Sequence, residues 1–102
     1  MTTTLHVDNT VHDFDTWKAV FDKFDQFRTE RNVRSYRIGR LVDAPDRVFI
    51  DLDFDSRAYA ESFRDDLRKV TATPQSQALL IAHETHLVEV VDQPAPAASP
   101  AG

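Results

Sequence analysis

The chain has no cysteine and only two glycines in 102 residues. Without thiols there is no disulfide scaffold, no thiolate nucleophile and no Cys-type zinc or iron–sulfur centre. The glycines stand at Gly39 and Gly102, which leaves no Gly-rich phosphate cradle and no nucleophile elbow. Positive charge is also scarce: 12 Lys and Arg face 17 Asp and Glu, for a net charge of −5. Binding to nucleic acid or to an anionic membrane surface needs a basic footprint, so neither partner is expected. Apolar runs are short, and none approaches the roughly 20 residues of a membrane span. The opening MTTTLHVDNT lacks the basic start and apolar stretch of a secretory signal. A cytoplasmic protein is the expectation, and the absence of cysteine fits it.

What the sequence has is amphipathic patterning. The stretch DFDTWKAVFDKFDQFRTER, residues 13–31, carries the single Trp and four of the seven Phe. Phe14, Trp17, Val20, Phe21, Phe24 and Phe27 recur every three or four residues. On a helical period they form one stripe roughly 140° wide, the width that covers a core. Asp13 or Asp15 is the expected N-cap, Asn32 the expected stop, and Arg28 and Arg31 suit the negative end of the helix dipole. Residues 4–11 alternate, with Leu5, Val7, Asn9 and Val11 on one side. A hairpin follows the helix: a strand over 33–42, a turn at Asp43-Ala44-Pro45-Asp46, and a strand over 47–54 with Val48, Ile50, Leu52 and Phe54 aligned. Asp55 or Ser56 caps a second helix reaching about residue 70, whose stripe reads Tyr59, Phe63, Leu67, Val70. Residues 75–82 fit a short helix or a strand equally well, and 85–91 read as the last strand. The tail 93–102, QPAPAASPAG, has the composition of disorder.

These elements make one domain over 1–92 in the order β-α-β-β-α-(α)-β. Strands with one apolar face need helices on that face. The expectation is an α+β, ferredoxin-like fold: four antiparallel strands with both helices on one side. So short a chain gains core by pairing with a second copy, which makes a homodimer plausible on size alone.

The chain also resembles small actinobacterial proteins of the dimeric α+β barrel superfamily, which includes antibiotic-biosynthesis monooxygenases, haem-degrading monooxygenases and stress-responsive A/B barrel proteins. The resemblance covers roughly residues 4–91. It is carried by D-x-W-K-x-x-F-D at 15–22 and D-F-D-S-x-x-x-A at 53–60, both of them cap-plus-core signatures. It implies a homodimer with two sheets packed face to face, and a pocket in each monomer between helices and sheet. Oxygenase members bind a polycyclic substrate or haem in that pocket, and the quinone-forming ones use neither metal nor flavin. In the haem-degrading members a first-strand Asn is accompanied by a Trp in the second helix and a His soon after it. Asn9 matches the first, but Tyr59 and Phe63 are the helix aromatics here and no His lies between Val70 and Ala82. No cofactor and no metal are therefore expected.

Two groups of residues carry the functional expectations. Asn9 is the one polar residue on the apolar side of its strand, so it needs hydrogen-bond partners or a polar cavity. With Trp17, Phe21, Tyr36, Tyr59 and Phe63 it forms the expected pocket for a small aromatic molecule, the same aromatics serving equally well as plain core. His83 and Tyr36 are the candidate acid/base and anchoring groups should the pocket be catalytic. The opposite sheet face carries His6, Asp8, Arg37, Phe49, Asp51 and Asp53. These fit a polar dimer face with Arg37 paired to Asp51 or Asp53; a His/Asp metal site is the rarer alternative. The run H-E-T-H at 83–86 is one residue short of the zinc motif, and on a strand its two His point to opposite faces. The functional expectation is a small-molecule-binding or accessory homodimer, with a cofactor-independent monooxygenase or cyclase acting on an aromatic polyketide-like substrate as the alternative.

Overall fold

A computed structural model describes residues 2–94. The order is β1 (Thr3–Val11), α1 (Phe14–Lys23), α2 (Asp25–Glu30), β2 (Ser35–Leu41), β3 (Ala44–Phe54), α3 (Arg57–Thr71), α4 (Pro74–Leu79) and β4 (Leu80–Glu89). The four strands form one antiparallel sheet in the order β2-β3-β1-β4. This is the ferredoxin-like α+β arrangement. From residue 95 onward the expected tail lies outside the described residues.

Alternation along β1 and β3 produces the layering. Leu5, Val7, Val11, Val48, Ile50, Leu52 and Phe54 are buried and form one cluster with Trp17, Ala60 and Phe63 from the helices. Phe54 lies 5.5 Å from Phe63, and Phe63 lies 5.8 Å from Phe27, measured between ring centroids. Among the described residues no helix lies on the other face of the sheet.

The long helix expected over 13–31 is two helices. It starts as read: Asp13 accepts from the Thr16 backbone N–H at 2.9 Å and from its hydroxyl at 2.7 Å, and these bonds hold the Asp13 carboxyl below its ordinary pKa. At Phe24 the backbone leaves helical geometry and its N–H turns back to the Phe21 carbonyl at 3.1 Å. The Phe21 carbonyl also accepts from Arg28 Nη1 at 2.7 Å. A side-chain cation thus adds a second hydrogen bond to a carbonyl in the last turn of α1, where the chain bends.

The stop at Asn32 is as expected and has a full explanation. Asn32 sits at φ 69°, in the left-handed region. Its N–H donates to Thr29 O at 3.4 Å, and the next N–H, of Val33, donates to Arg28 O at 3.2 Å. That pair of bonds is the Schellman motif. Asn32→Val should lower stability by about 1–2 kcal/mol, since a β-branched residue resists positive φ. Asn32→Gly should be neutral or mildly stabilising. Paired urea titrations decide it, and a valine variant as stable as the parent counts against this account.

Several boundaries and one buried stripe differ from expectation. The hairpin turn is Val42–Asp43, not residues 43–46: Leu41 pairs with Ala44 and Pro45 lies inside β3. A register shift beside Arg40/Leu41 leaves Pro45 without a ladder bond to donate, which is where a strand tolerates proline. Val42, expected as the last residue of the second strand, is exposed in that turn. The ambiguous 75–82 stretch divides: α4 ends at Leu79, and β4 begins at Leu80 because Val11 pairs with it. In α3, capped by Ser56, the buried line is Ala60 and Phe63 rather than Tyr59 and Phe63. The small Ala60 lets the helix close on the sheet, which turns Tyr59 outward.

Candidate functional site

Between the helices and the sheet lies a cavity of about 110 Å³. Its walls are mostly apolar. Trp17, Phe21, Phe24, Phe27 and Phe63 contribute from the helices, and Val7, Ile50 and Leu52 from the sheet. The expected aromatic stripe of the first helix is therefore only partly core. Trp17 is buried, whereas Phe21, Phe24 and Phe27 are half-buried because they stand around this space.

Few polar groups enter it. Asn9 and His83 do so as a pair: β1 and β4 run antiparallel in a register that sets them directly opposite each other. The His83 Nδ1 lies 2.6 Å from Asn9 Oδ1. With the Asn9 carbonyl oxygen as acceptor, His83 donates from Nδ1, so the lone pair is on Nε2. Desolvation by burial lowers the His83 pKa below its ordinary 6.5. The imidazole is thus neutral at neutral pH. Asn9, an inward amide that needed a partner, finds it here.

Thr71 and Ser76 also line it, and so does Arg28, which the sequence reading placed at a helix end as a favourable cation. It is 5% exposed and lines the cavity. Its guanidinium carbon lies 3.7 Å from the Phe21 ring centroid and 5.0 Å from that of Tyr36. A signal for it exists in the sequence: Trp17, Phe21, Phe24 and Arg28 step by four, three and four, so Arg28 continues the inward stripe. The bend at Phe24 then folds its head back under α1.

Of the six residues expected to line the pocket, Asn9, Trp17, Phe21 and Phe63 come together around the cavity. Tyr36 and Tyr59 do not. Tyr36 points to the helix side but lies on the edge strand, 44% exposed, with its ring edge-on to Phe21 at 5.3 Å. Tyr59 is 45% exposed on the outer side of α3. Of the two groups considered for catalysis, His83 is in the cavity wall and Tyr36 is beside it.

The open face of the sheet gathers the second group. His6 Nδ1 lies 2.7 Å from Asp51 Oδ1, and Arg37 donates to the other oxygen of Asp51 at 3.3 Å. Asp53 accepts from Thr4 at 2.6 Å and from Ser35 at 3.1 Å, and Asp8 accepts from Arg47 at 2.9 Å. His6 stacks between Phe49 and His86 at 5.8 and 6.4 Å. These carboxylates are already engaged by cations and hydroxyls. Among the described residues no three His, Asp or Glu side chains converge as metal ligands. His83 and His86 do lie on opposite faces, since their β1 partners, Asn9 and His6, do.

Among the described residues no helix is long and apolar enough to cross a membrane. The chain matches no protein-family model and none of the curated proteins.

Proposed function

We propose that this is a small-molecule-binding protein of the dimeric α+β barrel kind, cytoplasmic, whose helix–sheet cavity takes a small aromatic molecule. The observation that carries the reading is the cavity's chemistry: five aromatic side chains around a few convergent polar groups, Asn9, His83 and Arg28. Ligand sites are typically apolar and aromatic with a few fixed polar groups. Size sets the ligand: a cavity of about 150 Å³ holds benzene, so about 110 Å³ suits a single ring with slight adjustment of the walls. The test is a titration of monocyclic quinols and phenols against the fluorescence of Trp17, the only tryptophan. A saturable change should accompany a rise in melting temperature, because a ligand held only by the folded state stabilises it by mass action. A flat response across the panel would leave these aromatics as core alone.

The homodimer is part of the same proposal. A single-layer face with Phe49, Val88 and a row of neutralised charges is suited to a second sheet, and two copies face to face close a barrel. Light scattering should give twice the chain mass at tens of micromolar; a single-chain mass rules the dimer out.

One observation favours a second reading. His83 is a neutral imidazole, held by Asn9, in the wall of an apolar cavity. That is the equipment of a general base. In a cofactor-independent monooxygenase it would take the proton of a phenol, leaving a phenolate whose electrons can reduce dioxygen; in a cyclase the same proton removal needs no oxidant. A polyketide-like substrate of several rings requires this cavity to open, which is why binding of a smaller molecule is the preferred reading.

A further inference from the structure

We propose that the cavity takes an aromatic carboxylate, with Arg28 as the anchor for its two oxygens. This inference rests on the pocket reading above and names the class of ligand.

Arg28 is buried and only partly satisfied. Nη1 donates to the Phe21 carbonyl at 2.7 Å. Nε and Nη2 are both buried and, among the described residues, have no hydrogen-bond partner. The carboxylate paired with the guanidinium is Asp25, whose Oδ1 is 3.7 Å from Nη2, outside hydrogen-bond range, on a side chain 74% exposed. A charged donor left buried and unmatched is destabilising, so this edge is suited to an acceptor.

The identity of the free atoms defines that partner. Nε and Nη2 are the two donors along one side of the guanidinium fork. Their parallel N–H groups match the two oxygens of a carboxylate, a geometry that a lysine or a single hydroxyl acceptor does not use. The guanidinium is held over the Phe21 ring, with the Tyr36 ring also within reach. Phe21, Phe24 and Phe27, in the same cavity wall as Arg28, supply the faces for a ring.

Charge points the same way. The chain is acidic overall, yet among the described residues no Asp or Glu lines the cavity. Arg28 is its only formal charge, since His83 is neutral. In so apolar a setting a buried cation whose one carboxylate partner is exposed and 3.7 Å away attracts a second anion more strongly than it does at the surface. A ring with no anionic group would leave that cation as it stands.

Benzoate and benzamide make the test, because they share the ring and the planar head and differ in charge. Each is titrated into the full chain, with Trp17 fluorescence and melting temperature as readouts. Benzoate should bind at least about tenfold more tightly. The preference should persist from about pH 7 to about pH 9, where a guanidinium keeps its charge and an imidazolium does not. In Arg28→Met the ratio should fall to about one. That variant also loses the Phe21 carbonyl contact; should it fail to fold, the ratio in the unaltered chain still decides. Equal binding of the two compounds overturns the carboxylate inference and leaves the pocket reading in place. Binding of neither overturns the carboxylate inference, and the quinol and phenol titration then decides the pocket reading. A benzoate preference that survives in Arg28→Met, or fades as pH rises, assigns the anion to another group and overturns the role of Arg28.

Discussion

Phe54→Ala is expected to lower the stability of this protein by about 3–5 kcal/mol, the range for removing a buried phenylalanine. Phe54 is fully buried at the end of β3 and packs on Phe63, which in turn contacts Phe27 of α2. It therefore joins the sheet to both helical segments. A domain of this size has a total stability of roughly 5–15 kcal/mol, so a large share of it depends on this one ring. Urea denaturation should show the midpoint falling with the slope unchanged. The control is Phe49→Ala, on the same strand but the opposite face, where the ring is half-buried against His6. Its effect on a single chain should be about 1 kcal/mol or less. Similar losses at both positions would mean that the core is not confined to the helix side.

The second large effect concerns the Asn9–His83 pair. Asn9→Leu should destabilise by about 1–3 kcal/mol, because it leaves the His83 Nδ1–H facing an apolar side chain inside the cavity wall. Asn9→Leu combined with His83→Leu should recover most of that loss, since replacing both partners by apolar groups removes the unmet donor. Asn9 is nine-tenths buried and the pair is opposed in register, so the two substitutions are in direct contact and should not be additive. Recovery in the double variant would show that the pair is kept for the cavity's chemistry rather than for stability. An additive double loss would show the reverse.

The same pair predicts a pH dependence. Burial holds the folded His83 pKa below 6.5. The unfolded chain therefore takes up a proton at a pH where the folded chain still resists it. The contribution of His83 to stability is complete above 6.5 and is lost as pH falls through the folded pKa, below which it is constant. Relative to the parent, His83→Leu should flatten stability against pH in the window just under 6.5. An unchanged slope there would mean that the imidazole is not desolvated.

Much of the fold was legible because it depends on short-range rules. The alternation of Leu5, Val7 and Val11, the same alternation from Val48 to Phe54, the caps at Asp13 and Ser56, each one of two candidates, and the stop at Asn32 each follow from neighbours a few residues away. The break at Phe24 was not legible. The apolar stripe runs through it without interruption, and the bonds found at the bend include the Arg28 side chain reaching seven residues back to the Phe21 carbonyl. The outward turn of Tyr59 was hidden for a related reason. Tyr59 and Ala60 both fit a helical stripe, and only the closeness of α3 to the sheet selects the smaller residue. The start of β4 at Leu80 depends on Val11, about seventy residues away in the chain, and no local signal carries that.

The site divides along the same line. Asn9 stood out in the sequence because an amide on an apolar face must have a partner, and His83 because its titration range suits proton transfer. Their meeting at 2.6 Å is set by the pairing of the first and last strands. Arg28 reads in the sequence as an ordinary cation at a helix end; a bend, a buried stack and an unmatched edge make it the anchor of the cavity. What the sequence by itself determined is the layout: one ferredoxin-like sheet, its apolar face, its helical cover and a polar face left over, because amphipathic periodicity decides which side of each element avoids water. What only the tertiary structure decided is that the cover does not seal. The aromatic side chains pack around a space instead of filling it, and a helical period cannot say how far a helix stands from its sheet.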